Sequence, residues 1–227
     1  MKRHFDEDLK KLNTDILKMS VLAEEAIIKS IEALKNRDKA LAQSVIEDDQ
    51  KIDELELAIE ETAIDLLALR QPIARDLRFV TTGMKINAEL ERIADLAVNI
   101  AQRALELADK PLLKPLIDIP KLTNIARKMV KDVITAFINS DEQLAKKVIL
   151  SDCEADNLRN LIQDELINDY MSKDVTTASR AVPLLLIARH LERICDHATN
   201  IAEDVVYMIN ATVVKHHYEK LEDDQVG

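Results

Sequence analysis

Glycine is almost missing from this 227-residue chain: only Gly83 and Gly227 occur, alongside five prolines, six aromatics and no tryptophan. Hairpins and tight turns draw on glycine far more often than that, so sheets are disfavoured. The same shortage removes the Gly-rich phosphate loops of doubly wound folds. Two cysteines, Cys153 and Cys195, make no disulfide framework and fit a reducing compartment. No apolar run is long enough to cross a bilayer, the longest being Ala181 to Ala188 with Pro183 inside it. The opening Met-Lys-Arg-His-Phe-Asp-Glu lacks the apolar stretch of a signal peptide. A cytoplasmic location is the expectation. A net charge of −11 repels phosphate backbones, and few aromatics remain to stack on bases, so nucleic acid is not an expected partner.

What is present is a globular balance, with 47% hydrophobic and 32% charged residues. It is arranged as a repeat. Leu90-Glu-Arg-Ile-Ala-Asp-Leu-Ala-Val-Asn-Ile-Ala101 recurs at an offset of 101 as Leu191-Glu-Arg-Ile-Cys-Asp-His-Ala-Thr-Asn-Ile-Ala202, with nine of twelve positions identical. Upstream, Leu41 to Asp49 matches Leu144 to Asp152 at an offset of 103. One small deletion therefore separates the second and third segments of the copy.

Each copy reads as three helices. Leu9, Leu12, Ile16, Met19, Ala23, Ala26, Ser30 and Ala33 alternate spacings of three and four. Leu41, Val45, Asp48, Ile52, Leu55, Ile59, Thr62, Leu66 and Leu69 do the same. The third seam is Ile86, Leu90, Ile93, Ala97, Ile100, Ala104 and Leu107, and all seven have apolar counterparts 101 residues on. Such seams belong to nearly antiparallel bundles. Asp38 and Asp141 offer N-caps to the second helix of each copy. Pro72 breaks the chain before the third helix, and Pro111, Pro115 and Pro120 cluster between the copies. The reading is all-α: two tandem three-helix bundles over 1–109 and 121–218, a Pro-rich linker over 110–120 and a tail over 219–227. Helices of about thirty residues are about 45 Å long, so an elongated molecule is expected.

The chemistry that repeats is carboxylate. Glu91 and Asp95 stack four apart on the third helix, and Glu192 and Asp196 on the sixth. Asp49/Asp53 and Asp152/Asp156 do so on the second and fifth. Adjacent antiparallel helices would merge them into two four-carboxylate patches, whose repulsion a multivalent cation relieves. Oxygen ligands suit Mg²⁺, Ca²⁺, Mn²⁺ and iron alike. Asn99, Asn200 and Glu203 continue these faces. A solvated acidic face binding nothing is the alternative, and the chain is then a purely structural helical adaptor. His197 and Cys195 match Leu96 and Ala94, so neither is essential to a site present twice. Cys153 reads as a small buried or neutral thiol, His216 and His217 as solvated residues, and Gln71 to Arg78 as a structural turn. Arg92 and Arg193 pair with a neighbouring carboxylate or capture an anion. A di-iron carboxylate enzyme would need Glu-x-x-His motifs, and none of the five histidines has one; no Ser-His-Asp set, P-loop or Cys-x-x-Cys is visible.

Leu-Glu-Arg-Ile-x-Asp-x-Ala-x-Asn-Ile-Ala in both halves, with Arg70-Gln-Pro-Ile-Ala-Arg-Asp-Leu-Arg78 between helices, resembles the PhoU family over nearly the whole chain. The resemblance implies two three-helix bundles, homodimers, and no enzymatic activity. It implies multinuclear metal clusters, iron or zinc, held by Glu91, Asp95, Glu192 and Asp196 and by the Asp49/Asp53 and Asp152/Asp156 pairs. It further implies a negative regulator of phosphate uptake and phosphate-starvation signalling. Its partners would be the ATPase subunit of the phosphate ABC transporter and the sensor histidine kinase, with the membrane reached only through them. The sequence departs from the family where Ala94 and Cys195 stand for a frequent glycine, and Leu96 for a frequent histidine that His197 keeps.

Overall fold

The computed structural model describes residues 2–211, with side chains from Phe5 onward. The tail, His216 and His217 lie outside the described residues. Among the described residues there is no strand. The first copy is α1 (Lys2–Asn36), α2 (Lys39–Arg70) and α3 (Ala74–Ala108). The second is α4 (Asp118–Asn139), α5 (Glu142–Glu165) and α6 (Ala178–Asn210). A π-helical turn, Leu166–Met171, extends α5, and a 3₁₀ turn, Val175–Thr177, leads into α6.

The caps fall where composition places them. Asp38 accepts from the Leu41 N–H at 2.9 Å and Asp141 from the Leu144 N–H at 3.0 Å, each satisfying one donor that a helix start leaves unpaired. Pro120 is the third residue of α4 rather than linker. A first-turn proline gives up only an N–H that has no intrahelical partner anyway. Pro183 sits deeper, inside α6. Its ring removes the bond that the Ser179 carbonyl would accept, and Lys110 Nζ donates to that carbonyl instead at 2.9 Å.

All seven third-helix partners in the second copy are buried, and in the first all but Leu107, which packs against the core from its edge. The second-helix seam ends early: Leu69, expected within it, is 73% exposed. It lies in the last turn before Gln71, whose left-handed φ of 48° ends the helix. Arg70, one residue on, still pairs with Asp8 of α1 at 2.9 Å, so the bundle continues there and Leu69 has drifted round to the outer side of α2.

The copies lie side by side, α3 antiparallel to α6. Arg78 Nε donates to the Met208 carbonyl at 3.0 Å, Lys85 pairs with Asp204 at 2.8 Å, and Glu89 with His197 at 2.6 Å. At the other end of α3, Lys110 reaches α6. On the neighbouring helices Glu24 pairs with Arg127 at 3.0 Å. These two occupy the same position of the repeat, 103 apart, so their contact marks a pseudo-twofold axis between the bundles. One continuous apolar core runs through both.

Gly83 lies where α1 and α4 close on α3. A Cβ there would stand 3.2 Å from Ile16 Cδ1, 3.4 Å from Leu12 Cδ2 and 3.8 Å from the Phe137 ring, which itself stacks on Phe79 at 4.8 Å between centroids. Gly83→Leu should therefore destabilise the chain by about 3 kcal/mol through overpacking. Urea denaturation checks this; unchanged stability would mean that the three helices are not held together there.

Candidate metal centre

Burial divides the helices by role. Thirteen of the 35 residues of α3 and eighteen of the 33 of α6 are buried, against six of 32 in α2 and five of 24 in α5. The third helix of each copy is thus packed by its own bundle and by the other, and only a narrow strip faces outward. Glu91 and Asp95 lie on that strip of α3, between buried Leu90, Ile93 and Ala94. Glu192 and Asp196 do the same on α6.

In each bundle the structure brings the expected pairs into one electrostatic neighbourhood. Burial, followed by the charges of Asp53 and Asp95, pushes the Asp49 carboxyl up to about 6. Glu91 is raised by burial and by Asp95, Glu56 and Asp53. In the second bundle burial, then Asp196, Asp156 and Glu192, pushes Asp152 up to about 6. Asp196 is raised by burial, Glu192 and Asp156. Desolvation and like charge both disfavour ionisation, so neither quartet sits comfortably as bare carboxylates.

Two members escaped the sequence reading. Glu56 belongs to the first cluster, raised by burial, Glu60, Asp53 and Asp95; aligning the copies could have flagged it, because its counterpart is Arg159. The Cys195 thiol is buried under the second cluster and held well above its usual value by burial and then by Asp152, Asp196, Glu192 and Asp156. Asn200 is drawn toward the other bundle, donating to Glu89 at 3.4 Å. Asn99 is half-buried one turn beyond Asp95, and Glu203 is buried. Arg92 approaches Glu89 at 3.6 Å.

His197 takes a role that the sequence did not assign. Its Nδ1 lies 2.6 Å from Glu89 Oε2 across the bundle interface. Burial works to raise Glu89, but His197, with the Asn200 hydrogen bond and the Arg92 charge, together outweigh it, and the carboxyl falls below its ordinary value.

The donor set, all hard oxygen, fits a multivalent cation. Asp152 Oδ1 is buried with no partner in hydrogen-bond geometry, although the Thr199 hydroxyl is near enough to lower the carboxyl; a cation would satisfy this acceptor. Among the described residues no three His, Cys, Asp or Glu side chains already converge on one ion position. Binding would therefore turn carboxylates inward across the α2–α3 and α5–α6 faces.

An internally duplicated, all-helical protein with one acidic face per copy is what fold and site define. The PhoU domain matches residues 16–104 and 119–205. The chain is 42% identical over 214 residues, 94% of its length and 96% of the relative's, to the phosphate-specific transport system accessory protein PhoU homolog of Aquifex aeolicus. It is 40% identical to the homolog of Zymomonas mobilis, over 89% of this chain and 85% of that one. The crystal structure of PhoU from Pseudomonas aeruginosa superposes with a TM-score of 0.87 at 34% identity, covering 92% of this chain and all of that one. The chain belongs to the PhoU family. These relatives are named as accessory proteins, not as enzymes, in agreement with the expected lack of catalytic activity.

The raised carboxyls give a signed pH dependence. A folded-state value near 6 against an unfolded 3.8 means that the folded state binds more protons between those values. Metal-free stability should therefore fall as pH rises from about 4 to about 6. Asp49→Asn and Asp152→Asn should each flatten that slope and raise stability at pH 7 by up to about 1 kcal/mol, allowing for solvent screening. Urea melts in chelator at pH 4.5 and 7 check it; a loss at pH 7 in both variants would contradict the repulsion.

Proposed function

We propose that this chain is a cytoplasmic accessory protein of a phosphate-specific transport system, restraining phosphate uptake and phosphate-starvation signalling by surface contact. The relatives are named as accessory proteins of the phosphate-specific transport system, and the Streptococcus pneumoniae protein, 30% identical with a TM-score of 0.86 over 92% of this chain and 99% of that one, as a phosphate transport system regulatory protein; restraint is the form of regulation proposed. The partners proposed are the transporter's ATPase subunit and the sensor histidine kinase, with the chain acting as a homodimer. None of its described helices is long and apolar enough to cross a membrane, so the membrane is reached through partners.

The observation that carries the mechanism is the matched pair of strained carboxylate clusters. Glu91, Asp95, Asp49 and Asp53 would hold cations on the first bundle, and Glu192, Asp196, Asp152 and Asp156 on the second. Asn99, Asn200 and Glu203 continue the same faces and are proposed to complete the shells, Asn200 by leaving its 3.4 Å contact with Glu89. Iron or zinc clusters are proposed; Mg²⁺, Mn²⁺ and Ca²⁺ satisfy the same oxygen donors. A bound cation would cancel the repulsion and fix the charge of the surface offered to a partner.

Elemental mass spectrometry on untagged chain purified without chelator is the first test. Several equivalents of one metal per chain are expected, lost when Glu91, Asp95, Glu192 and Asp196 are all changed to Ala with helicity retained. A folded, metal-free wild type would leave a metal-independent helical adaptor. The same quadruple variant should lose affinity for the purified transporter ATPase by at least tenfold. Equal affinity would remove the cation-set surface.

A further inference from the structure

The two copies differ most beside the second carboxylate cluster, and the differences run in one direction. In the first bundle Asn87 Nδ2 crosses from α3 to the Glu56 carbonyl of α2 at 3.0 Å and closes the groove between them. Its counterpart is Ala188, which cannot make that bridge. The α5–α6 groove instead holds a cavity of about 700 Å³ with Ala188 in its wall, beside the π-helical turn that widens α5.

Two of the residues around that cavity have changed charge, while Glu192 and Asp196 in its wall keep theirs. Arg159 stands where the first copy has Glu56, and Arg189 where it has Ala88; Arg193 matches Arg92. Arg159 donates to Glu192 at 3.2 Å, which neutralises that carboxylate, and its Nε–H is buried with no partner. Arg189 and Arg193 line the same cavity and make no hydrogen bond or ion pair among the described residues. Three guanidiniums against the carboxylates of Glu192 and Asp196 leave the wall of this cavity with an excess of positive charge, in a chain whose net charge is −11. Guanidinium forks match oxyanions, and several together suit a group with more than one negative oxygen. Ile167 and Leu185 add an apolar wall, and the volume is that of a small-ligand site.

We infer that the α5–α6 cavity binds a phosphate-bearing small anion, with Arg159, Arg189 and Arg193 as its donors. The first bundle, with Glu56 and Ala88 at two of those places, has no equivalent. The cavity adjoins the second proposed cation cluster, whose Glu192 and Asp196 stand in its wall, and binding there does not require the transport role.

Calorimetric titration of the as-purified full chain at low salt, with inorganic phosphate and separately with ATP, tests it. Saturable binding of at least one at one equivalent per chain is expected. The dissociation constant should rise at least tenfold in Arg189→Ala/Arg193→Ala, with metal content and helicity unchanged, and stay the same in Arg92→Ala. Tighter binding of ATP identifies an organic phosphate using the apolar wall; binding of phosphate alone identifies the free anion. No binding of either overturns the inference. So does an affinity that the double variant leaves intact, or that follows metal content instead of the arginines.

Discussion

The packing of α3 against α6 is the constraint on which the remainder depends. Each serves two bundles, so its apolar surface has to extend well beyond the single stripe of an ordinary surface helix. Arg78 to the Met208 carbonyl, Lys85 to Asp204 and Glu89 to His197 bridge the contact. What remains for solvent is a strip about one residue wide, and the motif carboxylates occupy it. The raised carboxyls of Glu91 and Asp196 follow from that geometry: flanking Leu90, Ile93, Leu191 and Ile194 are fully buried, and these two acids are partly desolvated.

The energetics decide that such a strip can exist. A like-charged pair four apart on a helix costs a few tenths of a kcal/mol, and more when partly desolvated. Each fully buried Leu or Ile contributes about 1.5–3 kcal/mol. The seams of α3 and α6 supply many of these, so repulsion on the outer strip is a local tension that the core outweighs. That tension is released by protonation or by a cation, whereas a simple loss of structure would forfeit the core.

Much of this was legible because duplication lets one half of the sequence check the other. Helix order, both Asp caps and the pairing of second-helix with third-helix carboxylates all follow from periodicity and two offsets. What stayed hidden lies where local pattern and tertiary surroundings part. Leu69 fits the spacing, but by the end of α2 that spacing has rotated off the buried face. Pro120 looks like a linker residue, yet the first turn of α4 accommodates it without loss. His197 was set aside because Leu96 stands at its counterpart. Its partner Glu89 belongs to the other bundle, and no single-helix spacing reveals a contact across a pseudo-twofold axis.

That axis also explains why two similar sites need not remain alike. Where Glu24 meets Arg127, equivalent positions touch each other, and identical residues there would place like charges together; divergence is forced. Away from the axis it is only permitted, and the chain has used the freedom. Glu56 adds a fifth acid to the first cluster, whereas Arg159 gives the second an internal cation that already pairs with Glu192. A guanidinium at 3.2 Å offsets part of what a metal ion would offset, so the first bundle has the greater electrostatic need for an external cation. The second combines acid and base on one face, and its oxygens and N–H donors can meet partners of either sign. Two halves built to one plan therefore present different surfaces at opposite sides of a common core.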